Sequence, residues 1–352
     1  MKLAVYIGKF SPFHNGHATV LTRALEKYEH VLVIVGSANQ PRTPRLPWTA
    51  DERMGMIRQW YRMEHRSNPS KLSVVSVRDY WYQDQQWATQ IQLAVNEILK
   101  SKDSWSYDGK AEVFIVGADK DWSSYYVKLF PTWRKDLVKD GEISTFEISA
   151  TTIRDLYFDK PESKFYAGEI PIDVFEYIEG FKSSKYFSEI KAEYDFYKKY
   201  KAQFSTLKYP PIFVTVDAVV IQGGHILLVQ RRSAPGKGCY ALPGGFIGAN
   251  ETIDSAVIRE LREETRLKVP APVLIGCLEG REVFDNPNRS LRGRTITNAF
   301  LFHLNETGEL HEVKGGSDAT KAFWVPLSDL EKMEPMMFED HIGIIQKMIG
   351  LL

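Results

Sequence analysis

The sequence predicts an α/β chain of two domains: a parallel sheet covered by helices on both faces, followed by an α+β domain. Three observations carry this. Over residues 1–183, short apolar runs such as "LAVYI" and "VLVIVG" alternate with amphipathic helical stretches, the pattern of strands buried on both faces. Over 184–208 the chain turns charged and aromatic and then meets Pro210 and Pro211, which marks a helical or extended connector. From 209 to 352 strand-like runs dominate, interrupted by two helical patterns. A length of 352 residues agrees, because single cores rarely grow beyond about 250–300 residues.

Taken in order, "LAVYI" is the first strand, and in "HATVLTRALEKY" the residues Val20, Leu21, Ala24, Leu25 and Tyr28 form one helical stripe. "VLVIVG" is the second strand. Thr49 caps the next helix, with Glu52 three residues on to complete a capping box. Arg53, in the same helix, needs no role beyond a surface charge. "LSVVSV" is a third strand, and "WATQIQLAVNEIL" a helix with Trp87, Ile91, Val95 and Ile98 on one face. "EVFIVG" is a fourth strand and "STFEIS" a fifth. In such sheets the ligand crevice lies beyond the C-terminal ends of the strands, where "GKFSPFHNGH", "VGSANQPR" and "VGADKD" all fall. In the second domain "IFVTVDAVVI" and "HILLVQRR" flank a Gly223-Gly224 turn, and "TITNAFLFHL" and "KAFWVPL" follow. Helices are expected around 252–265 and 339–349.

Composition narrows the function classes. Apolar residues are 43% and charged residues 26%, ordinary for a globular protein. The 45 Lys and Arg balance 45 Asp and Glu, so no global field attracts nucleic acid or an anionic membrane, and neither is expected as a partner. Any anion must be held by local groups. No apolar run reaches the length of a membrane span, and no signal-peptide pattern follows Met1. Cys239 and Cys277 form no metal-type pair, which suits a reducing, cytoplasmic setting. A homo-oligomer is compatible with all of this.

"GKFSPFHNGH" (8–17) is rich in residues that a plain connection does not need. Gly8 lets the chain turn off the strand and Gly16 lets backbone approach a ligand closely. His17 falls at a helix start, where free N–H groups and the dipole favour an anion. With Lys9 and His14 the segment reads as a phosphate cradle. Far downstream, in "ISATTIR" (148–154), Ser149 and Thr151 lie at the start of another helix, and Arg154 one turn in brings a rigid fork of donors suited to phosphate.

These two segments resemble the paired signatures G-x-F-x-P-x-H-x-G-H and S-x-T-x-x-R of the H-x-G-H nucleotidyltransferase superfamily. "RLPWTADERMGMI" (45–57) and "RDYWYQDQQW" (78–87) further resemble the archaeal-type nicotinamide mononucleotide (NMN) adenylyltransferases. The resemblance implies a Rossmann-like domain that transfers AMP from ATP to NMN, giving NAD and pyrophosphate. It implies that His14, His17 and Arg154 hold the ATP phosphates, with Lys9 where relatives usually carry arginine, and that Gly8, Phe10, Gly16, Ser149 and Thr151 belong to the same binding surface. Arg45 would take the phosphate of the mononucleotide and Trp87 would stack on nicotinamide, although the spacing of Trp87 with Ile91 and Val95 makes it equally good core. Lys120 and Ser123 lie in a loop where a nucleotide contact and a solvated surface are both open. Pantetheine phosphate and flavin mononucleotide are the alternative acceptors.

The second domain holds "GFIGANETIDSAVIRELREETRL" (245–267). Glu260, Glu263 and Glu264 stand at i, i+3 and i+4, on one helical face. Like charges there repel unless cations occupy the face, and oxygen-rich clusters suit Mg2+ or Mn2+. The segment resembles the Nudix box, with Gly245, Glu251, Arg259, Glu260, Leu261, Glu263, Glu264 and Leu267 in register. That implies an α+β Nudix domain which hydrolyses a diphosphate linkage, with metal on Glu260, Glu263 and Glu264, and Gly245, Glu251 and Arg259 as the structural frame. Mg2+, with Mn2+ as the alternative, is expected in both sites. Arg266 departs from the pattern: the family places glycine there, at a helix exit that often takes φ > 0. Asp318, Glu282 and Glu312 are loop candidates for the general base. Arg281, Arg289, Arg292 and Arg294 crowd "REVFDNPNRSLRGRTITNAF", either as a basic hairpin or as substrate contacts. The order of the domains resembles bacterial bifunctional proteins of NAD metabolism, whose Nudix half cleaves ADP-ribose to AMP and ribose 5-phosphate. The alternatives are a nucleotide-binding sensor and cleavage of NAD or NADH.

Overall fold

Five parallel strands carry the N-terminal half of the computed structural model, which describes residues 2–65, 68, 70–101, 111–118, 127–138, 149–162, 164, 166–304 and 308–350. The strands are β1 (Lys2–Gly8), β2 (His30–Ala38), β3 (Leu72–Arg78), β4 (Glu112–Ala118) and β5 (Arg134–Val138). Between and after them come α1 (Asn15–Lys27), α2 (Ala50–Glu64), α3 (Asp84–Ser101), α4 (Ala150–Asp159), α5 (Ile172–Phe181) and α6 (Lys185–Ala202). Their order is β3-β2-β1-β4-β5, and every neighbouring pair is parallel. The chain therefore steps outward from β1 to β3 and returns on the other side of β1 at β4. Ligands of open parallel sheets bind at this reversal.

Burial follows the sequence pattern. Leu3, Val5, Leu32, Ile34, Ile91, Val95 and Ile115 form one cluster on the α3 face, while α1 buries Val20, Leu21, Ala24 and Leu25. Thr49 and Glu52 exchange both bonds of the capping box, at 3.3 and 2.7 Å. The fifth strand differs from expectation. It is "RKDLV", a half-exposed sheet edge whose charged residues hide the strand from a hydrophobicity reading. Residues 144–148 of "STFEIS" lie outside the described residues, and Ser149 is the N-cap of α4.

Arg53 departs furthest from its sequence reading as a surface charge. It is fully buried. Its Nε donates to the carbonyls of Trp48 and Thr49, Nη1 to Lys9 and Gly36 at 2.6 and 2.8 Å, and Nη2 to Ser37 at 2.9 Å. Burial lowers its pKa to about 10, with Asp79 and Glu52 opposing. Asp79, just past β3, accepts in turn from the Ser37 N–H and hydroxyl. One guanidinium thus ties the ends of β1 and β2 to the start of α2.

The chain divides into two compact units, Met1–Lys191 and Ala192–Leu352, the division falling inside α6. The second unit contains β6 (Ile212–Gln222), β7 (His225–Arg231), β8 (Tyr240–Ala241), β9 (Gly244–Phe246), α7 (Ile253–Thr265), α8 (Ala271–Gly276), β10 (Leu278–Phe284), β11 (Arg294–His303), β12 (Ala319–Pro326), α9 (Leu330–Met333) and α10 (His341–Ile349). A mixed sheet runs β10-β11-β6-β7-β12, with β8 on β7 and β9 on β6; β11 and β6 pair in parallel. Gly223 and Gly224, at φ 52° and 71°, make the hairpin turn between β6 and β7, where both central residues need positive φ. Ala256, Val257 and Leu261 of α7 pack on Val216, Ala218, Leu227 and Phe300. No described helix is long and apolar enough to cross a membrane.

Replacing Arg53 with methionine removes the clamp and leaves the carbonyls at two strand ends unpaired, at a cost of about 3 kcal/mol or more. Denaturant unfolding followed by probes in each unit should show the N-terminal transition moved to lower denaturant and the C-terminal one unmoved.

Candidate active sites

In the first unit the loop after β1 is built around aromatic contacts. The Phe10 ring lies against Gly8, where an added Cβ would sit 2.9 Å from the ring. Glycine at 8 therefore serves this close approach while it remains within the strand. Phe10, at φ 50°, meets the His17 ring edge-on at 4.9 Å, and Phe13 stacks on His17 at 5.9 Å. His14 is the N-cap of α1, Gly16 is buried in its first turn, and the His14 and His17 rings lie 3.7 Å apart. The backbone N–H of His14 donates to His17 Nδ1 at 3.3 Å, which puts the imidazole proton of His17 on Nε2 as a donor.

The distant second segment closes on this loop. Arg154 Nη1 donates to the Ser11 carbonyl at 2.5 Å across 143 residues of sequence, and Nη2 donates to Thr151 Oγ1 at 3.1 Å. Ser149 accepts from the Thr152 N–H as the cap of α4. Cations gather here. Desolvation by the surrounding protein lowers the pKa of Lys9 although the residue is exposed, and the charges of Arg45, Arg154 and Arg53 press the same way while Asp79 opposes. Burial lowers Arg154 to about 10, with Arg45 adding to the effect. Like charges brought this close are stabilised by an anion among them.

The remaining candidates sort as follows. Arg45 is half-buried and within electrostatic reach of Lys9 and Arg154. Trp87 is half-buried and packs on the α3-face cluster, 6.0 Å from Phe130, the packing that its helical spacing allows. Lys120 and Ser123 lie outside the described residues.

In the second unit the box loop and α7 hold one another through Arg259. Its Nε and Nη2 grip the Glu251 carboxylate at 2.9 and 2.6 Å, and Nη1 donates to Glu260 at 2.9 Å and Glu263 at 3.1 Å. Glu251 also accepts from the Gly248 N–H. The Arg259 bonds, with that N–H, hold its pKa down to about 2. A Cβ at Gly245 would come within 2.5 Å of the Glu260 carboxylate, so only glycine lets that side chain lie against the loop. Glu264 is buried and accepts from the Gly244 N–H at 3.0 Å. Burial pushes its pKa up to about 8, and the charges of Glu260 and Asp318 add to this. Burial raises Glu260 as well.

Among the described residues no three His, Cys, Asp or Glu side chains stand together at metal-ligand distance, because Arg259 draws Glu260 and Glu263 to itself. The donor set nevertheless fits a divalent cation. Three carboxylates share one helix face, Glu264 buried and Glu260 half-buried, and their mutual repulsion is the kind that a cation offsets. Arg266 keeps the shape of a glycine exit, in the left-handed region at φ 52°. The last carbonyls of α7 are met by the N–H groups of Lys314 and Gly316 at 2.8 and 3.0 Å.

A cavity of about 620 Å3 opens in front of these residues. Beside Gly245, Glu251, Arg259, Glu260 and Glu264 it is lined by Asp217, Arg231, Arg289, Arg292, Asp318, Phe338 and His341. Of the three general-base candidates, Asp318 alone lines it. Of the four arginines between 281 and 294, Arg289 and Arg292 line it, while Arg281 bonds Asp254 and Asn298 and Arg294 bonds Asp285. Asp217 and His341 carry no signal in the sequence, since they sit within an apolar strand and at the head of an apolar helix.

The raised pKa of Glu264 has a definite pH sign. Its folded value of about 8 lies above the ordinary 4.5, so its contribution to stability is full below about pH 4.5 and is lost as pH rises through about 8. A cation displaces that proton. Mn2+ affinity should therefore climb with pH up to about 8, by as much as about tenfold per unit. Calorimetry at pH 7 in buffers of different ionisation heat should count proton release, and Glu264→Gln should abolish it.

Comparison with known proteins agrees with this division. Residues 5–156 match the cytidylyltransferase-like family model and residues 211–348 the NUDIX domain model. The chain is 30% identical over 202 residues to the nicotinamide/nicotinic acid mononucleotide adenylyltransferase of Acinetobacter baylyi, covering 57% of this chain and 95% of that protein. It is 39% identical over 133 residues to the ADP-ribose pyrophosphatase of Methanocaldococcus jannaschii, covering 38% of this chain and 70% of that one. A crystal structure of a bifunctional NMN adenylyltransferase/ADP ribose pyrophosphatase from Francisella tularensis, complexed with AMP and a manganese ion, superposes with a TM-score of 0.89 at 31% identity. The match covers 99% of this chain and 98% of that one.

Proposed function

We infer that this chain, which belongs to the family of bifunctional NMN adenylyltransferase/ADP-ribose pyrophosphatases, runs two separate reactions in NAD metabolism, one in each unit. The observation that carries the first is the bond from Arg154 to Ser11, which brings the two phosphate-binding segments into one site. The relatives' activities favour NMN over pantetheine phosphate or flavin mononucleotide as acceptor.

In the first unit the 5′-phosphate of NMN attacks the α-phosphorus of ATP in line. A new P–O bond forms as the bond to the β,γ-pyrophosphate breaks, giving NAD without a covalent enzyme intermediate. Catalysis is positioning and charge neutralisation. Lys9, His14, His17 and Arg154 hold the triphosphate, His17 donating from Nε2. Gly8, Phe10 and Gly16 shape the loop, and Ser149 and Thr151 set the head of α4 beside it. Arg45 takes the acceptor's phosphate and Lys120 joins the nucleotide contacts, while Trp87 supports this surface from the cluster it packs on.

In the second unit water attacks the diphosphate of ADP-ribose and the P–O–P bridge breaks, giving AMP and ribose 5-phosphate. Glu260, Glu263 and Glu264 hold a divalent cation, Mg2+ in this reading and Mn2+ as the alternative, which supplies Lewis acidity at the diphosphate when bound. Glu251 and Arg259 brace the loop against α7 on Gly245. Asp318, which lines the cavity beside Glu260 and Glu264, takes the proton from the attacking water. Mg2+ is assigned to the ATP of the first site as well.

Chromatography of products from ATP plus NMN, and separately from ADP-ribose, tests both halves. Glu264→Gln should lower ADP-ribose cleavage at least about a hundredfold and leave NAD formation near normal. His17→Ala should do the reverse, lowering NAD formation by about 10²–10³. Loss of both activities in either variant, with the protein folded, would sink the two-site reading.

A further inference from the structure

Beside the strand that leads into the box loop, where Asp217 pairs with Gly244, the second cavity is lined by a donor and an acceptor that the hydrolytic machinery does not use. Asp217, on β6, is 5% exposed and His341, at the head of α10, is 6% exposed; both line the cavity. The Leu242 N–H donates to His341 Nδ1 at 3.0 Å, which leaves the imidazole proton on Nε2. Asp217 Oδ2 accepts from the Thr297 hydroxyl at 2.6 Å. The two atoms left over, His341 Nε2 and Asp217 Oδ1, stand 4.0 Å apart. Among the described residues neither makes a hydrogen bond. Side chains that are otherwise buried but turn an unpartnered donor and acceptor toward a cavity present a ready pair of contacts for a ligand there.

The surroundings hold this pair in place. Arg289 grips Asp340 through two bonds of 2.9 and 3.0 Å, with both side chains buried, and so anchors the residue just before His341. The same guanidinium lies 4.0 Å from Asp217 Oδ2. Gly244 keeps the carboxylate uncovered, since a Cβ there would sit 2.7 Å from Oδ1. Flat groups line the same cavity, and the Phe338 ring meets His341 edge-on at 5.6 Å. The Arg231 guanidinium lies 4.1 Å over the Phe338 ring, and Arg292 lies 5.1 Å over Phe246, which is 40% exposed. All four line the cavity.

A donor beside an acceptor, in a cavity that also presents flat groups, matches a purine edge that presents an acceptor beside a donor. We propose that Asp217 and His341 read the adenine of the substrate, Asp217 Oδ1 accepting from the exocyclic amine and His341 Nε2–H donating to N1. This rests on ADP-ribose being the substrate of the second site, and makes the pair determinants of base specificity. Hypoxanthine reverses both groups: its O6 would face the carboxylate, and its N1–H would face the imidazole N–H. The site should therefore reject inosine diphosphate ribose even though its diphosphate and riboses are unchanged.

The test is the ratio of kcat/KM for ADP-ribose to that for inosine diphosphate ribose, measured on the full chain with Mg2+ or Mn2+. The unaltered protein should favour ADP-ribose by about ten- to a hundredfold. Asp217→Asn, whose amide can donate to O6, should bring the ratio toward one. Equal cleavage of the two by the unaltered protein overturns the proposal without any variant having to fold. An unchanged preference in folded Asp217→Asn overturns it too. If neither compound is cleaved, the hydrolytic reading fails, and binding decides the subsite: tighter binding of AMP than of IMP that Asp217→Asn removes supports it, and equal binding, or a preference that the substitution leaves intact, overturns it.

Discussion

A guanidinium taken fully out of water must find its hydrogen bonds inside the protein, and Arg53 finds five on main-chain carbonyls. Those carbonyls belong to the residues that follow β1, end β2 and open α2, so a single side chain sets where two strands stop. The rim of the first site inherits its geometry from this. Lys9 is itself one of the acceptors, and the loop that carries His14 and His17 begins there. A hydrophobic residue of similar length would fill the space yet leave the carbonyls unmet, which is why packing alone could not replace the charge.

The two units solve opposite electrostatic problems in the same way. In the first, the charge of Arg45 presses the pKa of both Lys9 and Arg154 down, beyond the lowering that the surrounding protein causes. In the second, a buried Glu264 stands near a half-buried Glu260 and the pKa values of both rise. Each cluster costs stability in isolation, and the opposite charge would offset that cost, an anion among the cations and a cation among the carboxylates. Arg259 meanwhile neutralises Glu260 and Glu263 from within. The second unit thus keeps its box helix in shape by an internal cation that competes for the carboxylates a metal would take.

Local departures from the family pattern are absorbed by their surroundings. Arg266 adopts the left-handed conformation of the glycine it replaces, at an ordinary cost of about 1–2 kcal/mol, and the chain at Lys314 and Gly316 caps the same helix end. The helix exit keeps its shape because the conformation is held by hydrogen bonds from elsewhere in the fold as well as by the residue's own preference.

What the sequence by itself determined were the features of local origin. Apolar runs between amphipathic helices specified the parallel sheet, Thr49 and Glu52 specified a helix start, and the spacing of Glu260, Glu263 and Glu264 placed three carboxylates on one face. Periodicity and capping depend on neighbours within a turn or two, so they are legible along the chain. The tertiary structure alone decided the rest. It buried Arg53 and assigned strand β5 to a charged sheet edge. It set Trp87 against the core, and brought Ser11 to Arg154 across 143 residues. It also brought Asp217 within 4.0 Å of His341 in the lining of the cavity. Burial and pairing at long sequence separation depend on which elements the sheet order makes neighbours. An arginine destined for the interior looks, along the chain, like any other on a helix.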